Sequence, residues 1–295
     1  MELRFFDDPG EFLDVAGDHL ASRPVLSTVT AGVASRIRDQ RSAGVPWPAE
    51  VPCWFAAFVD AGRVVSTAMR TAPFGDYPAY LMPMSDDAAV LLARTLLDRD
   101  EPVLGANGAL PAVRVFCDDM AAATGKQTTV GQHTRLFELG ELREPRPAAG
   151  RLRPARLDEQ PQVSTWYDAF MKDADEQAGR EPGSSPHEAL TEEDLARRIG
   201  TGRVFVWVDE EDRPVNVTAA TLPAYGVSRI GPVYTPPEER GRGYASSAVY
   251  AVSGLLRRSG EQPCLFTDQA NPTSNKIYEA IGYRPLVDMA NLRLE

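Results

Sequence analysis

A glycine-rich turn between a predicted strand and a predicted helix constrains the fold of this chain most. Residues 238–251 read EERGRGYASSAVYA and follow the apolar segment 228–235, SRIGPVYT. Apolar residues then recur at steps of four, three and four, which predicts one buried helical face formed by Ala245, Val249, Val252 and Leu256. The segment therefore predicts a strand–turn–helix unit of an α/β fold.

The same turn has the composition of an anion-binding site. The first amides of a helix have no partner within the helix and attract anions. Glycine lets a phosphate approach those amides without a Cβ in the way, and arginine can contact two phosphate oxygens at once. Ser246 breaks the dinucleotide pattern G-x-G-x-x-G, and no G-K-S/T of a P-loop follows. The alternative is a glycine-rich turn that only starts a helix.

A second motif lies at residues 271–283, NPTSNKIYEAIGY, after the predicted strand that contains CLFTD. Asn271 can cap the helix through its side chain. Ile277 and Ile281 are four residues apart and are predicted to be core. The phenol of Tyr278 has an ordinary pKa near 10, so it is protonated at neutral pH and can donate a proton. Packing is the alternative role for Tyr278.

The two motifs together resemble the signatures of the GNAT superfamily of acyl-CoA-dependent N-acyltransferases. Arg240, Gly243 and Ala245 match R/Q-x-x-G-x-G/A, and residues 271–283 resemble N-x-x-(A/S)-x-x-(L/I)-Y-x-x-x-G-(F/Y). The resemblance covers nearly all of residues 150–295. It implies an N-acetyltransferase in which a primary amine attacks the thioester of acetyl-CoA directly. A non-catalytic acyl-CoA-binding or sensing module is the alternative.

The resemblance also implies roles for individual residues. The amides from Gly241 to Ser246 would hold the CoA pyrophosphate, the end of the preceding strand would pair with the pantetheine arm and stabilise the oxyanion, and Asn271 would contact the cofactor. The predicted cofactor-binding residues are Val233, Tyr234, Thr235, Arg240, Gly241, Arg242, Gly243, Tyr244, Ala245, Ser246 and Asn271.

Tyr278 matches the general acid of the family, which protonates the departing CoA thiolate. The sequence points less directly to a general base. Asp268, at the end of the predicted strand before Asn271, is the best candidate, although capping the following turn is its alternative role. His187 lies in a predicted loop, and His19 and His133 lie in the other half of the chain.

The order of elements suggests that one α/β unit occurs twice. Residues 141–156 are rich in proline and charge, which predicts a linker, a first domain of residues 1–142 and a second of 150–295. The predicted fold class is α/β (α+β), with two tandem GNAT-like domains, each a mixed, mostly antiparallel twisted sheet flanked by helices. Residues 85–88, SDDA, lack the glycine and arginine of an anion turn, so the first domain is predicted to be degenerate.

Charge and composition exclude several other functions. A net charge of −11 opposes nucleic-acid binding. No apolar run is long enough to span a membrane, the first residues lack the pattern of a signal peptide, and the three cysteines suggest neither disulfides nor a metal site. We therefore expect a cytoplasmic enzyme without metal, whose partner is a small-molecule or peptide amine. No feature of the sequence points to an oligomeric state.

Overall fold

A computed structural model describes residues 1–45, 47–48, 51–71, 78–177, 181–183 and 191–295. These residues form two compact units. The first consists of residues 1–135 and 287–295, and the second of residues 136–286. No helix in the described ranges is long and apolar enough to cross a membrane.

In the residues that the structure describes, the first unit consists of a sheet and four helices. Its strands β1 to β4 are antiparallel neighbours, β4 is parallel to β5, and β5 pairs antiparallel with the end of β12. Its elements are β1 (Glu2–Phe6), α1 (Pro9–Ser22), α2 (Thr28–Ser42), β2 (Trp54–Asp60), β3 (Arg63–Arg70), β4 (Ala79–Leu81), α3 (Asp86–Asp98), β5 (Gly105–Ala109), α4 (Ala112–Thr124), the start of β6 (Thr128–Leu139) and the end of β12 (Tyr283–Leu294).

The second unit contains the strand–turn–helix unit predicted around the glycine-rich turn. Strands β7 to β10 are antiparallel neighbours, and β11 is parallel to β10. Its helices and strands, besides the end of β6 and the start of β12, are β7 (Arg151–Pro154), α5 (Gln160–Gln177), α6 (Glu192–Gly200), β8 (Val204–Val208), β9 (Pro214–Ala220), β10 (Val227–Tyr234), α7 (Tyr244–Arg258), β11 (Gln262–Asp268) and α8 (Pro272–Ile281).

Local capping signals explain where two of these helices start. The Thr191 side chain accepts a hydrogen bond of 3.1 Å from the amide of Asp194 at the start of α6. The Asn271 side chain accepts one of 3.1 Å from the amide of Ser274 at the start of α8. Each bond satisfies an amide that the helix itself leaves without an acceptor. The start of α8 after Asn271 agrees with the prediction.

The division of the chain differs from the predicted domains 1–142 and 150–295. The first boundary lies between residues 135 and 136, and residues 287–295 lie in the first unit. Residues 283–294 form a single strand, β12. The physical reason is that β6 and β12 are each 12 residues long and run across the two boundaries. Residues 141–150 of the proline-rich segment are irregular chain within the second unit, and residues 151–154 form β7.

The strand β1 was not predicted. It contains five residues, ELRFF, and at least two of them are exposed. A segment this short shows too little alternation of apolar and polar residues to indicate a strand. Its pairing with β2, from Glu2 opposite Val59 to Phe6 opposite Phe55, depends on chain that lies about fifty residues further on.

The parallel pair β10 and β11 positions the candidate site. Their pairing joins Val227–Ile230 to residues 262–265 and stops there. On the other side of β10, the register with β9 shifts between Ile230 and Val233. Because α7 follows β10 and α8 follows β11, both helix N-termini lie at the carboxyl ends of two parallel strands, where ligands bind in many open α/β sheets.

Candidate functional site

A cavity of about 340 Å³ lies in the second unit, at the carboxyl end of β10. The strand end, the glycine-rich turn, the first turn of α7 and the start of α8 all line it. The residues predicted for cofactor binding that line this one cavity are Val233, Tyr234, Thr235, Arg240, Gly241, Gly243, Tyr244, Ala245, Ser246 and Asn271.

The glycine-rich turn presents backbone amides to the cavity. Gly241 and Gly243 have φ values of 79° and 84°, in the left-handed region that favours glycine. No side chain caps α7 at Gly243, and a bond of 3.0 Å from the Ser247 amide to the Gly243 carbonyl closes its first turn. The preceding amides of α7 therefore have no acceptor within the helix, and the arrangement suits an anion.

Arg240 is the cationic side chain among the described residues that line the cavity. Its Nε donates a hydrogen bond of 3.0 Å to the carbonyl oxygen of Thr235, and its guanidinium lies 5.9 Å from the ring centre of Tyr234. Its Nη2 forms an ion pair with Asp173 on α5. Burial and then the Asp173 carboxylate raise the pKa of Tyr234 above its ordinary value. The guanidinium is therefore held beside the turn by contacts from two elements.

A buried polar network supports the strand end that lines the cavity. The side-chain amide of Asn216, on β9, donates to the carbonyl oxygen of Tyr234 at 2.8 Å and to Thr235 Oγ1 at 3.0 Å. The hydroxyl of Thr218 donates to Asn216 Oδ1 at 2.9 Å. Asn216 and Thr218 are fully buried. A buried polar group without a hydrogen-bond partner destabilises the folded state, so this network fixes the end of β10.

Tyr278 lies on α8, on a face that packs against the core. Its half-buried ring contacts Tyr283 edge-to-face, with ring centres 6.1 Å apart. Burial raises the pKa of Tyr278 to about 12. The phenol is therefore protonated at neutral pH. Tyr278 does not belong to the described lining of the cavity, whereas its helix neighbours Ser274 and Ile277 do.

Two further predicted site residues lie outside the described lining. Asp268 accepts a hydrogen bond of 2.8 Å from the amide of Ala270, in the turn before α8. This hydrogen bond fits the alternative role of Asp268, which is to cap the turn before α8. The side chain of Arg242 is exposed and lies 2.8 Å from Glu239 Oε2. His187 lies outside the described residues.

The sequence did not predict that α5 and part of α8 line the cavity. Phe170, Asp173 and Ala174 of α5 line the cavity, together with Glu239, Thr273 and Ser274. A carboxylate in the middle of a helix gives no sequence signal that separates a cavity position from a solvated one. In the described part of the chain, no group of three or more metal-binding side chains occurs.

The corresponding helix start in the first unit has a different chemistry. Ser85 caps α3 by accepting a hydrogen bond from the amide of Ala88, and Asp86 and Asp87 occupy the first turn. Both carboxylates stabilise the helix through its dipole, and both repel an incoming anion. This part of α3 therefore resembles an ordinary helix start.

Comparison with known proteins agrees with the architecture. A family model described as FR47-like protein matches residues 208–293, which include both motifs. An acetyltransferase from the GNAT family of Colwellia psychrerythraea has a TM-score of 0.55 at 12% identity, over 100% of this chain and 99% of that chain. A tandem GNAT protein from the clavulanic acid biosynthesis pathway has a TM-score of 0.54 at 15% identity, over 100% of this chain and 98% of that chain.

A GCN5-related N-acetyltransferase from Sphaerobacter thermophilus has a TM-score of 0.56 at 14% identity, over 89% of this chain and 85% of that chain. A search of the curated proteins gave no match. The likeness to a tandem GNAT protein along the whole chain confirms the predicted fold class. The chain therefore has a fold similar to that of solved GNAT proteins, one of them a tandem GNAT protein.

Proposed function

We propose that the second unit is an N-acetyltransferase, which transfers the acetyl group of acetyl-CoA to a primary amine. The observation that carries the proposal is the single cavity lined by the glycine-rich turn, the end of β10 and the start of α8. These are the elements on which the two family-like motifs lie. A GNAT-fold acyltransferase is the class of enzyme that this arrangement supports.

The residues of the cavity fit the parts of acyl-CoA. The first amides of α7 and the guanidinium of Arg240 suit the pyrophosphate. The end of β10, beyond its pairing with β11, suits the amide groups of the pantetheine arm, because a strand edge can pair with an extended chain. Ile277 and Phe170 supply apolar surface. Bound acyl-CoA would supply an activated thioester carbonyl to the site.

We assign two roles in the reaction to this chain. Backbone amides near Val233 and Thr235 would stabilise the oxyanion as the amine attacks. Tyr278 would hold a proton on its phenol oxygen and donate a hydrogen bond to the departing thiolate. A pKa of about 12 makes the phenol a weaker acid than an ordinary thiol of pKa about 8.5, so the phenol would keep its proton and stabilise the thiolate through the hydrogen bond. The C–N bond forms as the C–S bond breaks, and the thiolate would take up the proton that the amine loses.

Asp268 remains the sequence-based candidate for the general base, and our proposal does not depend on it. Its Oδ1 already accepts the hydrogen bond from Ala270. We also propose that the first unit does not bind acyl-CoA, because Asp86 and Asp87 occupy the turn where the second unit presents glycines. The first unit would then act as a scaffold.

Release of free thiol from acetyl-CoA tests the proposal when measured with a panel of primary amines. The panel should include small polyamines, amino sugars and peptides with a free N-terminus. Thiol release that depends on one class of amine, with the acetylated amine identified by mass spectrometry, is the expected result. Binding of acetyl-CoA without amine-dependent thiol release would instead identify the non-catalytic acyl-CoA-binding module.

A further inference from the structure

The ion pair between Asp173 and Arg240 places a carboxylate inside a cavity that is otherwise suited to an anion. Asp173 lies on α5 and Arg240 lies in the turn before α7, 67 residues further on. Both side chains line the cavity. The Asp173 side chain is 22% exposed and that of Arg240 is 41% exposed. The pair is therefore accessible to a ligand that enters the cavity.

Asp173 differs from the other carboxylate of the cavity in its partner. Glu239 also lines the cavity, but its Oε2 lies 2.8 Å from Arg242, which does not belong to the described lining. Arg240 is thus the cation that a phosphate would meet, and Asp173 already holds its Nη2. A carboxylate and a phosphate compete for the same guanidinium donors, and like charges in one cavity repel.

We propose that Asp173 lowers the affinity of the cavity for phosphate, because its carboxylate competes with the donor pyrophosphate for Arg240. The inference rests on the proposed function, because it takes the pyrophosphate of acyl-CoA as the entering anion. On binding, the Nη2 of Arg240 exchanges the Asp173 carboxylate for a phosphate oxygen, while its Nε can keep the bond to Thr235. The competition lowers the affinity of the cavity for every phosphate-bearing ligand. The affinity then depends on the negative charge of the ligand, which has to displace the Asp173 carboxylate.

Replacing Asp173 by Asn tests this inference, because it removes the charge and keeps the shape. Titrations with acetyl-CoA and with ADP, which shares the pyrophosphate, measure the effect. We expect D173N to bind both ligands about 3- to 10-fold more tightly than the wild type at low ionic strength. The gain should shrink at high salt, because the competition is electrostatic and partly exposed to solvent. Asp173→Ser should change affinity in the same direction.

Asp168→Asn is the matched control. Asp168 is exposed on the same helix, does not line the cavity, and its substitution changes the net charge by the same amount. It should leave both affinities unchanged. If D168N gains as much as D173N, the effect comes from the total charge of the protein and the inference is overturned.

Other outcomes separate this inference from the proposed function. Binding of acetyl-CoA by the wild type, with equal or weaker binding by D173N, would overturn the inference alone and make Asp173 a residue that orients Arg240. No binding by the wild type or by either Asp173 variant would overturn both. Thermal unfolding of each variant shows that a loss of binding does not come from a loss of fold.

Discussion

The side-chain amide of Asn216 donates a hydrogen bond of 2.8 Å to the carbonyl oxygen of Tyr234, at the end of the strand that lines the cavity. The fully buried Asn216 thereby fixes the backbone of the strand end that lines the cavity. The relationship links the core of the second unit to the candidate site, because the same amide also contacts Thr235.

Substitution of Asn216 by Leu should therefore weaken both the fold and the site. The variant keeps a similar shape but leaves a buried carbonyl oxygen without this donor, so we expect a loss of about 1–3 kcal/mol in the free energy of unfolding. Affinity for acetyl-CoA should fall as well. Thr218→Val is the control, because it removes a bond to Asn216 and keeps the bonds to the strand. Wild-type affinity in a folded N216L protein would argue against this positioning role.

Replacement of Tyr278 by Phe should lower turnover and preserve binding. The hydroxyl donates the hydrogen bond to the departing thiolate in our proposal, so we expect amine-dependent turnover to fall by about tenfold or more. Affinity for acetyl-CoA should stay within about threefold of the wild type, because Tyr278 does not line the described cavity. Tyr283→Phe removes a hydroxyl from the neighbouring ring and serves as the control. Equal turnover in wild type and Y278F would remove Tyr278 from the reaction.

Tyr278 should also make the protein lose stability in alkali. Burial raises the pKa of its phenol from 10.0 to about 12 in the folded state. Below about pH 10 both states hold the proton and its contribution is complete, whereas between about pH 10 and about pH 12 the unfolded state releases the proton first and stability falls. The loss approaches about 2–3 kcal/mol. Denaturant unfolding across this range should show a shallower decline for Y278F, and equal declines would contradict the shifted pKa.

A buried ion pair should stabilise the first unit. Arg70 Nη1 lies 2.7 Å from Glu101 Oε1, and the two side chains are only 5% and 14% exposed. Glu101→Ala leaves the guanidinium without this counter-charge and removes the acceptor of the Trp54 indole, so we expect a loss of about 3–5 kcal/mol. Asp119→Ala, which breaks an exposed contact of the same unit, should leave the unfolding midpoint almost unchanged. Similar effects in both variants would contradict this account.

The sequence predicted those features of the fold that depend on neighbouring residues. The helix start at Asn271 depends on a side chain and an amide three residues apart, so a short pattern is enough to indicate it. The glycine-rich turn is also indicated by neighbouring residues alone, because Gly241 and Gly243 adopt the left-handed backbone conformation that favours glycine. The site residues on these elements were found for that reason.

The sequence did not predict features that depend on pairing between segments far apart in the chain. The strand β1 is defined by its partner β2, and residues 287–295 lie in the first unit because they pair with β5. Asp173 was overlooked for the same reason, since its role in the cavity comes from Arg240 on another element. No pattern within α5 distinguishes Asp173 from the exposed Asp168.

Calorimetric titration with acetyl-CoA tests the central claim most directly, when wild type is compared with Gly243→Glu and Gly202→Glu. Both glycines have positive φ, at 84° and 68°, so both variants add the same charge and a similar backbone strain. Only Gly243 lines the cavity. We expect one site per chain in the wild type and in G202E, and loss of binding in G243E. Binding by G243E that equals the wild type would place the cofactor elsewhere and contradict the account.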